Sequence, residues 1–228
     1  MDIKKCMITD ANYPKKLLSL ASAPKTLYFI GDISIANKDI IAVIGKREAN
    51  KKSLSLSEKI GHELAKKEFV VLNGLAIGCD TKAIEGALLG NGKVIAVMPC
   101  GLDEIYPKSN RMLAEKIIKT GGCIISEYPC SSKPQRYTFV ERDRLQAGLA
   151  DKVIVIDAEI KGGTMHTVNY ALKLKKEIGC IMEENEITPK GNEYLCKSQK
   201  CDALNSIHSV LNFVKKPVYS QVSLFNET

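Results

Sequence analysis

No apolar run in the 228-residue chain approaches the ~20 residues that a membrane-spanning helix requires, so no span is expected. The opening residues Met1-Asp2-Ile3-Lys4-Lys5 are not followed by a signal-type apolar stretch, which points to a cytoplasmic location. Internal repeats and low-complexity blocks are also missing. The eight cysteines include no paired C-x-x-C. Cys79, Cys100, Cys123, Cys130 and Cys180 lie singly in or beside apolar runs, where a reduced cysteine acts as a small hydrophobe. Cys196 and Cys201 are separated by four residues with His208 nearby, but these ligands are too few for a zinc site to be expected. Neither a metal nor a cofactor is anticipated.

What is present is a foldable core and a modest positive excess. Hydrophobic residues make up 45% of the chain, which predicts a packed interior rather than disorder. Lys and Arg number 33 against 26 Asp and Glu, a net +7 that mildly favours polyanionic partners. Much of the lysine excess (Lys15, Lys16, Lys51, Lys52, Lys66, Lys67) has helix-like spacing and reads as a solvated face.

Strand-like runs occur at 40–44, 69–72, 93–97, 122–125, 153–156 and 178–182. Helical periodicity fills 53–67, 79–90, 109–119, 139–150 and 164–176. Continuous Val/Ile runs alternating with helices predict an α/β, Rossmann-like doubly wound fold, with a mainly parallel sheet and helices on both faces. Residues 1–35 read as an N-terminal extension, 36–214 as the Rossmann-like domain and 215–228 as a C-terminal tail. Within the extension, Tyr13-Pro14 with Leu17 and Leu18 begins a short helix, and Leu27–Gly31 forms a short strand. Segments 191–198 and 202–214 read as closing helices.

Three of the apolar runs end in a glycine turn that opens into a helical pattern. These are Ile44-Gly45-Lys46-Arg47, Asn73-Gly74 continuing to Gly78-Cys79-Asp80, and Asp157 followed by Lys161-Gly162-Gly163-Thr164. Such turns set unpaired backbone N–H groups at a helix start, where the helix dipole also favours an anion. A pocket for a phosphate-bearing ligand is expected. Arg47 is the leading phosphate ligand, since its guanidinium can fork onto a phosphate. Gly45, Gly74 and Gly78 allow close backbone approach or positive φ. Arg142 and Arg144 lie two apart on a helix start and point to different faces, so Arg142 is read as a ligand and Arg144 as a ligand or an internal ion pair. Lys46 and Asn73 belong to the turns themselves. Lys161, Gly162, Gly163 and Thr164 form the third anion nest, with Thr167 capping the helix or bonding the ligand. His166 reads as a partly exposed helix residue. Tyr106, Tyr128 and Tyr137 offer stacking surfaces, whereas packing is the favoured role of Phe139.

These residues resemble, in order, the motifs of the DNA-processing protein A (DprA/Smf) family. Val43-Ile44-Gly45-Lys46-Arg47 is similar to V-G-x-R, and Asn73-Gly74-Leu75-Ala76-Ile77-Gly78-Cys79-Asp80 to S-G-x-A-x-G-I-D. Gly101-Leu102-Asp103 with Tyr106-Pro107 resembles G-L-D…Y-P, and Ile125-Ser126-Glu127-Tyr128-Pro129 resembles I-S-E-x-P. Phe139-Val140-Glu141-Arg142-Asp143-Arg144 with Ala147-Gly148-Leu149 is similar to F-P-x-R-N-R-I-I-A-G-L. Gly162-Gly163-Thr164-Met165 with Thr167 is similar to S-G-S-L-x-T, and Gly191, Asn192 and Leu195 follow the late G-x-N-x-L-I element. The resemblance spans about residues 13–197. It implies an extended Rossmann fold, a single-stranded DNA pocket, a role in loading a RecA-class recombinase, and a homodimer. Asp143 stands where the family has Asn; it either pairs with Arg142, Arg144 or Arg47, or it repels phosphate and shifts the ligand. The chain reads as a minimal member without room for the family's full N-terminal helical or C-terminal winged-helix domains.

An enzyme of the same superfamily is a competing reading. Lys161-Gly162-Gly163-Thr164 superficially resembles the P-G-G-x-G-T-x-x-E motif of phosphoribohydrolases, but Asn169 and Tyr170 stand where the carboxylate belongs. A nucleotide sensor of the same fold is the third reading. Near the C-terminus, Gln221-Val222-Ser223-Leu224-Phe225 resembles the Q-x-x-L-F peptide that docks on the replicative sliding clamp. There Gln221 would set the register, and Leu224 and Phe225 would fill a pocket.

Overall fold

The computed structural model describes residues 2–182 and 188–216. Its centre is a run of five buried residues, Ile40–Ile44, forming strand β3. Alternate side chains of β3 enter opposite apolar layers: Ile40, Ala42 and Ile44 one, Ile41 and Val43 the other. A strand buried on both faces needs helices on both faces, and that requirement organises the rest.

After β3 come α1 (Lys51–Lys66), β4 (Val70–Asn73), α2 (Cys79–Leu89) and β5 (Val94–Val97). Next are α3 (Arg111–Lys119), β6 (Cys123–Ser126), α4 (Arg136–Leu149) and β7 (Lys152–Val155). The chain then runs through α5 (Thr164–Lys173), β8 (Glu177–Ile181), α6 (Lys190–Lys197), β9 (Asp202–Leu204) and α7 (Ile207–Lys215). Two earlier strands, β1 (Lys4–Met7) and β2 (Thr26–Gly31), precede β3. The nine-stranded sheet has the order β1-β2-β6-β5-β4-β3-β7-β8-β9. From β6 through β9 every pairing is parallel. The fold is thus the expected mainly parallel, doubly wound α/β architecture.

Helices α1, α2, α3 and α7 cover one face through Ile60, Leu64, Ala83, Ala87, Ile117 and Phe213. Helices α4, α5 and α6 cover the other through Leu145, Leu149, Val168, Ala171 and Leu195. The strand order reverses direction at β3 and β7, whose crossovers go to opposite faces. A crevice opens at such a switch point, beyond the strands' carboxyl ends.

The segment read as an N-terminal extension is joined to this sheet. Strand β2 pairs antiparallel with β6, Tyr28 opposite Ser126 and Gly31 opposite Cys123, and β1 pairs antiparallel with β2. A 3-10 helix at Lys15–Ser19 places Leu17 in the core, and Lys16 Nζ lies 2.6 Å from an Asp151 carboxylate oxygen. At the other end, residues 202–204 form a strand rather than the start of a helix. The tail carrying Gln221, Leu224 and Phe225 lies outside the described residues. Among the described residues, no helix is long and apolar enough to cross a membrane.

Candidate functional site

The loops after β3 and β7, the first turn of α2 and the exposed side of α4 surround a cavity of about 740 Å³ at the switch point. Gly45, Lys46 and Arg47 come from the first loop, and Gly162, Gly163, Thr164 and Thr167 from the third. The second turn contributes Ala76 and Asp80. The first turn therefore enters in full, the turn after β7 enters through Gly162, Gly163 and Thr164 but not Lys161, and the second reaches the cavity by one edge.

Four cationic side chains (Lys46, Arg47, Arg136, Arg142) and four acidic ones (Glu48, Asp80, Asp143, Glu159) line it. Formal charge is balanced, so the pairing of each group decides where an anion can bind. Lys46 Nζ sits 3.0 Å from Glu159 Oε1 and 3.5 Å from Asp157 Oδ1. The hydrogen bond to Glu159 raises its pKa, which keeps it charged but already compensated. Arg142 is buried: Nε donates to Asp143 Oδ1 at 3.0 Å, and Nη1 donates to the carbonyls of Gly74 (2.8 Å) and Val97 (2.9 Å). Its Nη2 has no protein acceptor among the described residues, and its guanidinium carbon lies 6.0 Å from the Phe139 ring centroid.

Arg47 differs from both. It is exposed, has no acidic partner among the described residues, and holds its guanidinium carbon 5.4 Å from the Phe139 centroid. Arg136, at the start of α4, is likewise exposed without an ion pair among the described residues. Phe139 is half-buried between Arg47 and Arg142 and meets Tyr106 edge-on at 5.6 Å. Across the cavity, the backbone N–H groups of Gly163 and Thr164 donate to no protein carbonyl among the described residues. They are the open donors of the α5 N-terminus. An exposed guanidinium, an aromatic face and open helix-start N–H groups together suit a sugar-phosphate ligand.

Backbone geometry explains two of the glycines. A Cβ at Gly74 would collide with the Arg142 guanidinium, so this glycine admits the arginine to its carbonyl. Gly78 has φ +85°, and a Cβ there would strike the Arg47 carbonyl. Asp80 locks the same turn: one carboxylate oxygen accepts from the Gly74 N–H at 3.0 Å and the Ala76 N–H at 3.3 Å. Burial pushes the Asp80 pKa up to about 6, and burial also raises that of Asp143.

Several expected ligands take other roles. Asn73 is fully buried; its Nδ2 donates to the Asp80 carbonyl at 3.0 Å and its Oδ1 accepts from the Leu75 N–H at 3.0 Å. It staples the turn and does not reach the cavity. Arg144 faces away from the cavity: Nη2 lies 2.5 Å from Glu127 and Nε 2.9 Å from Glu141, which is the internal ion-pair alternative. Lys161 is exposed and lies outside the cavity lining, as does Gly78. Asp143 pairs with Arg142 and accepts from Gln146 Nε2 at 2.8 Å, both through Oδ1. Conversely, Asp80, Arg136, Gln146 and Glu159 line the cavity without having been singled out from sequence, and His166 and Phe139 line it although blander roles were expected. Asp80 stands in a quoted motif, and Arg136 lies three residues before Phe139; those were the available signals.

Fold and site define a class: a Rossmann-like α/β protein with an arginine-bearing pocket at the switch point of its sheet. The model of one family, DNA recombination-mediator protein A, matches residues 4–215. The chain belongs to that family, the DprA/Smf proteins. It is 37% identical over 173 residues to Protein Smf of Synechocystis, covering 74% of this chain and 43% of that one. Across the curated relatives it matches over about three quarters of its length, it spans about 43–61% of theirs. Among solved structures, DNA processing protein A of Helicobacter pylori, described for its single-stranded DNA binding mode, superimposes with TM-score 0.83 at 29% identity. That match covers 92% of this chain and 95% of the other. DprA of Streptococcus pneumoniae gives the same TM-score at 30% identity, covering 93% and 74%.

Proposed function

We propose that the cavity binds the sugar-phosphate backbone of single-stranded DNA and that the chain acts as a binder rather than a catalyst. The observation that carries this reading is Arg47: a cation at the cavity wall with no acidic partner among the described residues, beside an aromatic ring. The backbone donors of Gly163 and Thr164 supply a second phosphate contact. Phe139 and Tyr106 supply a face on which a base can stack. Kinship with the single-stranded-DNA-binding H. pylori protein supports the same ligand. Three of the four cavity acids are committed: Asp80 to two backbone N–H groups, Asp143 to Arg142 and Glu159 to Lys46. The fourth, Glu48, is solvent-exposed, so no enclosed acid of the cavity stands free as a general base, which disfavours hydrolysis of a nucleotide.

The family's description as a recombination mediator supports the further proposal that the bound strand is handed to a recombinase in the cytoplasm, with a RecA-class partner and a homodimer as the parts of that proposal implied by the motif resemblance. Docking on the sliding clamp through Gln221, Leu224 and Phe225 would place that activity at replication forks. A clamp pull-down that is unchanged by Leu224→Ala with Phe225→Ala removes the docking idea.

The primary test compares fluorescent oligo-dT, duplex DNA and free nucleotides by anisotropy at two ionic strengths. Oligo-dT should bind tightest and lose affinity steeply with salt. Tighter binding of a free nucleotide would replace this reading with a nucleotide sensor.

A further inference from the structure

A second cluster lies on β8, α6 and the entry to β9, on elements that contribute nothing to the cavity lining. Cys180 is buried on β8, Cys196 is half-buried near the end of α6, and Cys201 is half-buried just before β9. Their three sulfurs all lie within 4.8 Å of one another, with Cys196 Sγ and Cys201 Sγ 3.0 Å apart. Sequence separation hides this set, because the β8–α6–β9 crossover brings Cys180 back beneath the other two.

We propose that Cys180, Cys196 and Cys201 form a three-thiolate site for a thiophilic divalent cation, with Zn²⁺ the ion its chemistry favours. Zinc–thiolate bonds of about 2.3 Å in a tetrahedron set sulfurs about 3.8 Å apart. The spacing here brackets that value, so the Cys196–Cys201 pair need open by only about 0.8 Å to seat the ion. Soft sulfur ligands select zinc over magnesium or calcium. No histidine or carboxylate among the described residues joins the group, so the fourth position is left to water or an exogenous ligand. Binding displaces the thiol protons to solvent, and three thiolates with one Zn²⁺ leave a net charge of −1.

The site would also brace the DNA cavity. Helix α6 carries Asn192, whose Oδ1 accepts from the Ala158 N–H at 3.0 Å and whose Nδ2 donates to the Ile156 carbonyl at 3.0 Å. The Gly191 N–H donates to the Ala158 carbonyl at 2.9 Å. An ion clamping α6 to β8 thus steadies the strand end that leads into Glu159 and Gly163.

The test uses the full chain, reduced and stripped of metal, titrated with Co²⁺ as a spectroscopic probe and then with Zn²⁺ in competition. One equivalent of Co²⁺ per chain should give a sulfur-to-cobalt charge-transfer band that Zn²⁺ abolishes, and Zn²⁺ should raise the melting temperature. Cys196→Ser and Cys201→Ser, both at half-buried positions, should each weaken metal binding at least tenfold while circular dichroism stays native. Cys130→Ser, at an exposed cysteine outside the cluster, should change nothing. The proposal is overturned if reduced, natively folded protein shows no such band, or if Cys201→Ser binds Co²⁺ with the wild-type affinity and band. It is overturned equally if the reduced protein takes no metal and its only chemistry is a Cys196–Cys201 disulfide found by mass spectrometry on oxidation.

Discussion

Replacing Arg47 by Ala separates binding from folding more cleanly than any other change in the cavity. The side chain makes no ion pair or hydrogen bond among the described residues; its guanidinium carbon lies 5.4 Å from the Phe139 ring centroid. Losing an exposed cation–π contact costs about 0.5–1 kcal/mol, so the melting transition should move little. Against a phosphate, the same guanidinium makes charge-assisted hydrogen bonds worth about 1.5–3 kcal/mol. Since about 1.4 kcal/mol is tenfold, oligo-dT affinity should fall roughly 10- to 100-fold. One phosphate contact on a single strand carries a salt slope of about 0.7, so the slope of log K against log salt should flatten by about that amount. Anisotropy titrations over a salt series read both quantities, and a thermal melt reads the third. Wild-type affinity and slope in a folded Arg47→Ala protein would refute the assignment of the cavity to DNA.

Arg142→Ala should behave oppositely. It strips the buried Asp143 carboxylate and two buried carbonyls of their donor, so unfolding should become easier by about 3–5 kcal/mol in urea titrations; a shift under 1 kcal/mol would show that the site rearranges freely. Asp143→Asn keeps one Oδ1 for both Arg142 and Gln146 while removing a charge from the cavity, so oligo-dT should bind several-fold tighter at pH 7.5; unchanged affinity would show that this carboxylate is already screened. Asp80 keeps its proton up to about pH 6 when folded but only to 3.8 in its ordinary state, so between those values the native chain holds the extra proton. Its contribution therefore weakens stability as pH rises from about 4 through 6, by up to about 3 kcal/mol. Asp80→Asn, which can still accept both N–H bonds on one oxygen, should flatten that slope in melts from about pH 4 to 7, and an unaltered slope would assign it to another group.

The sequence made the parallel half of the fold legible because β3 to β8 are continuous apolar runs, buried or nearly so on both faces. The edges carried no such pattern. Strand β1 buries only Cys6 between Lys5 and Met7, and β9 buries only Leu204, so neither run reads as a strand. At the site, glycine turns disclosed the location but not the allegiance of each charge. Arg142 and Arg144 share a helix and a motif, yet one touches the cavity and the other is held by Glu127 and Glu141. Glu127, which helps hold Arg144, comes from the loop after β6 rather than from the helix that carries both arginines. Asp80 reads locally as a favourable acid in a first helical turn, and its bonds to Gly74 and Ala76 emerge only once the turn closes. Phe139 was read as packing because an isolated aromatic gives no sign that two guanidinium groups flank it.

The seating of β2 beside β6 has a kinetic consequence. Beyond the β1 pairing, residues 28–31 find their partners on the other side only at 123–126, almost a hundred positions later. During synthesis the leading segment must therefore wait, its strand unpaired on that side, until most of the chain has left the ribosome. At the few to twenty residues per second of translation, that exposure lasts about 5–20 seconds. Closure of so long a loop is also intrinsically slow. Strand β2 is thus locked on its β6 side long after it is made, and chaperone capture or proteolytic nicking of a nascent chain should concentrate on that segment.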